Sequence, residues 1–244
     1  VTPITLDKQC TTCGIAVQAE VPPEIDQDSR WYRLAERMPV YCDPCGEEAE
    51  HDIARQEHEQ AEARHLQRIT ASGIPANLRG VSFDRLDNDE ALAPAVAAAK
   101  SWAGGEIRGL VLSGTVGVGK TWIAAAAANQ YLRRSGLYWI ATPRLMLQAR
   151  AGFKSNERDA AYKVLLKRSV PLVLDDIDKV APSDFTLDLL FEAIDERVNS
   201  GTALLVTTNL HYPDLEDRFG EPIASRLAGY CKAHRLDGPD RRRS

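Results

Sequence analysis

The chain has 244 residues, with 30 basic and 35 acidic side chains and a formal net charge of −5, a balance that excludes a protein coating nucleic acid over its whole surface. Its length leaves room for one full α/β domain plus a small module, and no apolar run is long enough to span a bilayer. The charge is uneven: residues 1–70 hold 14 acidic and 7 basic side chains, whereas 144–168 hold 7 basic and 2 acidic ones. Nucleic-acid contact is therefore expected in the second half, and contact with another protein at the front.

Residues 1–7 lack the basic and apolar regions of a secretory signal. Four of the five cysteines form two C-x-x-C pairs, Cys10-Thr-Thr-Cys13 and Cys42-Asp-Pro-Cys45. Pairs of this kind favour a reduced, cytoplasmic setting and tetrahedral Zn²⁺ held by four thiolates over a disulfide framework. A closed four-thiolate site has no open position for catalysis, so the metal is expected to be structural. The 28 residues between the pairs suit a zinc-ribbon-like module over residues 1–46, with Trp31, Tyr32, Leu34, Val40 and Tyr41 as its small core. Helix-forming residues then run from Gly46 to Ile69 with a thin apolar stripe, which predicts a connector helix within residues 47–73. His51, His58 and His65 fall seven apart and read as a solvated face. Ser72-Gly73-Ile74-Pro75 marks the boundary to a third segment, 74–244.

That segment alternates helices and strands. A helix is expected over 89–103, strands near 110–112, 137–141, 170–174 and 202–207, and helices over 123–132 and 185–198. The alternation predicts an α/β fold, a parallel sheet flanked by helices, with ligands at the carboxyl ends of the strands. Between the first strand and its helix lies G-x-x-x-x-G-K-T, the Walker A pattern. Gly114, Gly117 and Gly119 let the loop curl so that the amides of Thr115, Val116 and Val118 face phosphate oxygens. Lys120 reaches the β- and γ-phosphates, Thr121 ligates Mg²⁺, and Trp122 closes the expected ATP site.

Three more features sit at strand ends. Leu172-Val-Leu-Asp175-Asp176 is a Walker B arrangement, in which Asp175 is expected to bind Mg²⁺ and Asp176 to polarise the attacking water. Val206-Thr207-Thr208-Asn209 places an amide to sense the γ-phosphate. Arg226, and with less support Arg218, is a candidate arginine finger for a neighbouring subunit, the competing reading being an ion pair with Glu221 or Asp217. In the basic stretch Arg144, Arg150, Lys154, Arg158, Lys163 and Lys167 can neutralise phosphates, while Phe153 and Tyr162 can stack on bases or simply pack. Arg241-Arg242-Arg243 reads as a disordered tail with a weak phosphate contact.

With these motifs in this order, the chain resembles the DnaC/DnaI family of replicative helicase loaders, which are AAA+ ATPases akin to IstB and DnaA. The resemblance covers roughly residues 74–236. It implies a P-loop NTPase with an AAA+ core, no C-terminal helical lid, and ATP hydrolysis. Its implied partners are a hexameric DnaB-type helicase gripped by the zinc module, single-stranded DNA on the 143–168 segment, and further copies in an open or spiral oligomer. Many relatives have Asp-Glu where this chain has Asp175-Asp176, which bears on the hydrolysis rate. An IstB-like transposition helper and a nucleotide-gated adaptor that scarcely hydrolyses ATP are the alternatives.

Overall fold

The computed structural model describes residues 4–26, 28–86, 89–154, 170–211 and 213–241, with the side chains of 4, 85 and 151–154 left aside. The chain divides into two compact units, 1–64 and 65–244.

In the first unit, β1 (Ile4–Gln9) and β2 (Ala16–Val21) form an antiparallel hairpin in register from Ile4↔Val21 to Gln9↔Ala16. The turn between them carries Cys10 and Cys13 and is closed by Gly14 at φ 76°. Helix α1 (Arg30–Arg37) starts at Ser29, whose hydroxyl accepts from the Tyr32 amide at 3.2 Å. Its far end is tied to the hairpin by Lys8, whose ammonium donates to the carbonyls of Ala35 and Met38 at 2.5 and 2.8 Å. The aromatic core expected here does not form. Trp31, Leu34 and Tyr41 are 55%, 49% and 40% exposed, and Tyr32 and Val40 are only partly covered. A unit this small cannot wrap such side chains. Among its described apolar residues, Cys10 and Val21 alone are fully buried. Helix α2 (Asp43–Ala71) begins three residues ahead of expectation because Asp43 and Pro44 both suit a first helical turn.

The second unit is built on a five-stranded parallel sheet in the order β4-β5-β6-β3-β7. Its strands are β3 (Gly109–Gly114), β4 (Tyr138–Ala141), β5 (Leu172–Asp175), β6 (Leu204–Thr208) and β7 (Cys231–Leu236). Helices α3 (Ala93–Gly104), α4 (Lys120–Leu132), α5 (Thr142–Lys154), α6 (Asp184–Ser200), α7 (Asp214–Phe219) and α8 (Glu221–Tyr230) connect them. Alternation along β3 sorts the core into two layers: Leu110 and Leu112 face α3 and α4, while Val111 faces α6 and α8. Ala124 to Ala128 of α4 are all essentially inaccessible, so small side chains let this helix lie close on the sheet. Strand β7 escaped the sequence reading because C-K-A-H-R-L is a largely exposed edge strand with no apolar run.

One amide ties the segment before α3 to α4. Asn129 of α4 donates through Nδ2 to the carbonyls of Leu78 and Val81 at 2.9 and 3.0 Å. These are buried bonds, and a carbonyl left without its donor costs about 1–3 kcal/mol. Asn129→Ala is therefore expected to lower stability by about 2–3 kcal/mol in urea melts, with Asn129→Asp also destabilising because it removes the same donor.

Candidate functional site

Lys120 opens α4 directly after Gly119, whose φ of 114° only glycine adopts freely. It is 5% exposed, and its ammonium donates to the carbonyls of Gly114 (2.9 Å) and Thr115 (2.7 Å) and to Oδ1 of Asn209 (2.9 Å). Burial pushes its pKa down, and the carboxylates of Asp176 and Asp178 pull it back up. The next hydroxyl, Thr121 Oγ1, donates to Asp175 Oδ1 at 3.1 Å, and Thr207 Oγ1 donates to the same oxygen at 2.7 Å. Burial raises the pKa of Asp175, opposed by these two hydroxyls. Thr121 and Asp175 are thus brought together as the groups that would hold Mg²⁺, a hard cation whose charge would offset the burial of this carboxylate.

Asp176 takes a left-handed backbone (φ 56°, ψ 55°), which aspartate tolerates better than most residues. Its amide donates to Thr207 Oγ1 at 2.9 Å. The turn separates two consecutive carboxylates: Asp175 faces inward to Thr121, while Asp176 lines a cavity of about 410 Å³. Gly117, Gly119, Lys120, Thr121, Asn209, Leu86, Leu92, Val116, Trp122, Lys179 and Arg241 complete the walls. Val116 and Trp122 expose 51% and 42% of their surface at the mouth, whereas Val118 is wholly buried in the core and offers a ligand only its backbone.

Asn209 is fixed on both sides. Its Oδ1 serves Lys120, and its amide N–H and Nδ2 donate to the two carboxylate oxygens of Asp178, each at 2.8 Å. Burial would raise the Asp178 pKa, but the bonds from Asn209 hold it below the usual carboxylate range. Asp178 was missed in the sequence, where a third carboxylate in Asp-Asp-Ile-Asp is the only signal. Leu86, Leu92 and Lys179 were missed as well, since nothing in their spacing marks a cavity wall.

Arg226 does not line this cavity. It pairs with Asp195 at 2.5 Å, neither Glu221 nor Asp217, and lies 5.8 Å from the Phe191 ring centroid. Arg218 donates to the Val180 carbonyl at 3.0 Å. Arg144 and Arg150 are exposed on α5; the side chains of Phe153 and Lys154, and all of Arg158 and Lys163, lie outside the described residues. Arg241, expected in a disordered tail, instead pairs with Asp89 at the cavity wall; Arg242 and Arg243 lie outside the described residues.

In the first unit the sulfurs of Cys10, Cys13, Cys42 and Cys45 all lie within 4.8 Å of one another, Cys13 and Cys42 at 3.6 Å. Tetrahedral Zn²⁺ with Zn–S bonds of about 2.3 Å requires sulfurs about 3.8 Å apart, so the donor set fits that ion. Amide hydrogen bonds from Cys13 and Cys42 lower the Cys10 thiol to about 6, while the sulfurs of Cys42 and Cys13 push Cys45 up to about 12. Four crowded thiols cannot all ionise without a cation among them. The knuckles are joined through Thr11, whose amide and hydroxyl both donate to the Val40 carbonyl at 2.8 and 3.0 Å.

A Walker A lysine, an aspartate ending the third strand of a parallel sheet, and an asparagine ending the strand between them define a P-loop NTPase with an AAA+ core. Residues 50–229 match the family of IstB-like ATP-binding proteins, and the chain belongs to that family. Among its relatives, an insertion-sequence (IS1162) protein of Pseudomonas fluorescens named for ATP binding is 37% identical over 100 residues, covering 40% of this chain and 42% of the relative. This chain thus spans less than half the length of that relative. In fold it is similar to the DnaC helicase loader (TM-score 0.60, 22% identity, 66% of this chain and 99% of that one). It is likewise similar to DnaI (TM-score 0.56, 23% identity, 67% and 94%).

Because Asp178 orients Asn209 without lining the cavity, Asp178→Ala is expected to lower ATP turnover roughly tenfold or more, the scale of a lost orienting contact, while ADP affinity in a fluorescence titration stays near wild type. For the thiol cluster, metal release by a chelator, read by a zinc-sensitive dye, is expected to yield one zinc per chain. Cys42→Ser should abolish that signal and make the first unit sensitive to protease.

Proposed function

We propose that the chain is an ATP-driven loader that places a hexameric replicative DNA helicase on single-stranded DNA. The observation carrying this reading is the contrast between the two units. One is an ATP-binding AAA+ core with exposed arginines on α5. The other is an acidic module whose Trp31, Leu34, Met38, Tyr41 and Ile15 are each at least 40% exposed. Large apolar side chains left in solvent on a unit with so little core suit a protein partner better than a nucleic acid, and aromatic residues of this kind dominate binding energy when covered. In this reading Zn²⁺ on the four cysteines holds the module in shape. ATP and Mg²⁺ occupy the cavity at Lys120, Thr121 and Asp175, and Asp176 activates water for hydrolysis. Arg226 serves the γ-phosphate of an adjoining copy, exchanging Asp195 for phosphate in the assembled state. Arg144 and Arg150, with the basic residues up to 168, track the strand.

A second reading is favoured by the insertion-sequence relative: a transposition helper that assembles on duplex DNA and recruits a transposase. Both readings share the fold, and DNA form and partner separate them.

The full chain is expected to co-purify with a replicative helicase hexamer. The Trp31→Ala, Leu34→Ala double variant should weaken capture by about tenfold or more, as for central apolar contacts, with nucleotide binding unchanged. Arg226→Ala should remove DNA-stimulated ATP turnover, a loss on the order of 10³ for a finger acting on transferring phosphate. ATP-dependent filaments on duplex DNA with no helicase capture would instead establish the transposition reading.

A further inference from the structure

Beyond β7 the chain turns back over the phosphate loop. The Thr115 hydroxyl donates to the Gly238 carbonyl at 3.2 Å, and the Arg241 amide donates to the Gly117 carbonyl at 3.1 Å. Asp240 lies so close that a Cβ on Gly117 would come within 1.9 Å of its carboxylate oxygen. The φ of 80° at Gly117 suits glycine, and a side chain there would also displace Asp240.

Arg241 continues across the cavity. Its stem passes Gly119, where an added Cβ would meet both Arg241 Cδ (4.0 Å) and Leu92 Cδ1 (3.9 Å). Its guanidinium donates to the carboxylate of Asp89, three residues before Leu92 and three after Leu86. The tail and the segment leading into α3 thus meet over the start of α4. They do so at the apolar end of the cavity, formed by Leu86 and Leu92. The hydrogen bond from Arg241 lowers the Asp89 pKa.

With this strap in place the cavity keeps about 410 Å³, within the range of roughly 300–1,000 Å³ usual for small-molecule sites. Arg241 is a wall of that space and does not fill it. Among the described lining residues it is the third cation, with Lys120 and Lys179, against one carboxylate, Asp176. Lys120 is already committed near Asn209, the end where the terminal phosphate would sit. Gly117 and Gly119 lie on the loop that wraps the inner phosphates, and Arg241 crosses both.

We propose that Arg241 is a nucleotide-binding residue acting within its own chain, a cation that Asp89 positions over the nucleoside and inner phosphates. This rests on the cavity being the ATP site. A contact at that end is common to ADP and ATP, so it governs how long either nucleotide stays bound, independently of the terminal phosphate and of any neighbouring copy.

The test uses the full chain with Mg²⁺ and fluorescent N-methylanthraniloyl derivatives of ADP and ATP, measuring affinity by titration and release by stopped flow. Wild-type binding that is lost in Lys120→Ala establishes the cavity as the nucleotide site; failure at that stage sinks the site assignment itself. Given binding, Arg241→Ala is expected to weaken ADP and ATP by the same factor, about tenfold for a lost charge-assisted contact, mostly through faster release. Arg241→Lys should recover part of the loss. Asp89→Asn should weaken binding by less than Arg241→Ala, and Asp89→Glu should restore it. Thermal melts without nucleotide confirm that each variant is folded. Unchanged release in Arg241→Ala overturns the proposal. So does tighter binding, which would make the strap an obstruction, and so does a loss confined to ATP, which would place the guanidinium at the terminal phosphate.

Discussion

A lysine ammonium that is 5% exposed has to find acceptors inside the protein, and the site takes its form from that requirement. Two of its three partners, the Gly114 and Thr115 carbonyls, belong to the phosphate loop itself. The third, Asn209 Oδ1, comes from a strand 89 residues further on. Strand β6 can deliver it only because it lies between β3 and β5 in the sheet. The same insertion brings Thr207 onto Asp175, which already accepts from Thr121. Sheet order and the hydrogen-bonding needs of one cation are thus two aspects of a single arrangement. Nucleotide phosphates would compete for Lys120 with acceptors already in place, so binding is an exchange of partners in a site preorganised for negative charge.

Much of this was legible in the sequence because its signals are local. Glycines at fixed spacing before a lysine need no tertiary context to be read, nor do paired aspartates after an apolar strand. The exceptions share a physical cause. Asp178 acts through Asn209, a residue 31 positions away, and no spacing rule links them. Strand β7 is polar because it is an edge, so the apolar signal that betrays β3 and β5 is absent. Arg241 looked like part of a basic tail because the three arginines are adjacent; its tie to Asp89 spans 152 residues.

The first unit failed in the other direction. Trp31, Leu34 and Tyr41 were expected inside because large apolar residues usually are. In a unit of this size the thiol cluster and Lys8 hold the chain, and the aromatic residues are free to face outward. A module held together by a thiol cluster can leave apolar surface exposed that a core-organised one would have to bury.

The C-terminal strap extends the same logic to the ligand. A phosphate loop by itself grips the phosphates and says little about the nucleoside, whose pocket must come from elsewhere in the chain. Here Leu86 and Leu92 line the cavity, downstream of the Leu78 and Val81 carbonyls that Asn129 holds and on either side of Asp89, which pairs with Arg241. Asn129 ties this stretch to α4, and Arg241 ties it to the tail that crosses the phosphate loop. A wall pinned at both ends resists opening more than one pinned at either alone, because release of the ligand then requires two sets of hydrogen bonds to yield together. On the proposal that Arg241 binds nucleotide, its retention depends on contacts outside the Walker motifs as well as on those within them.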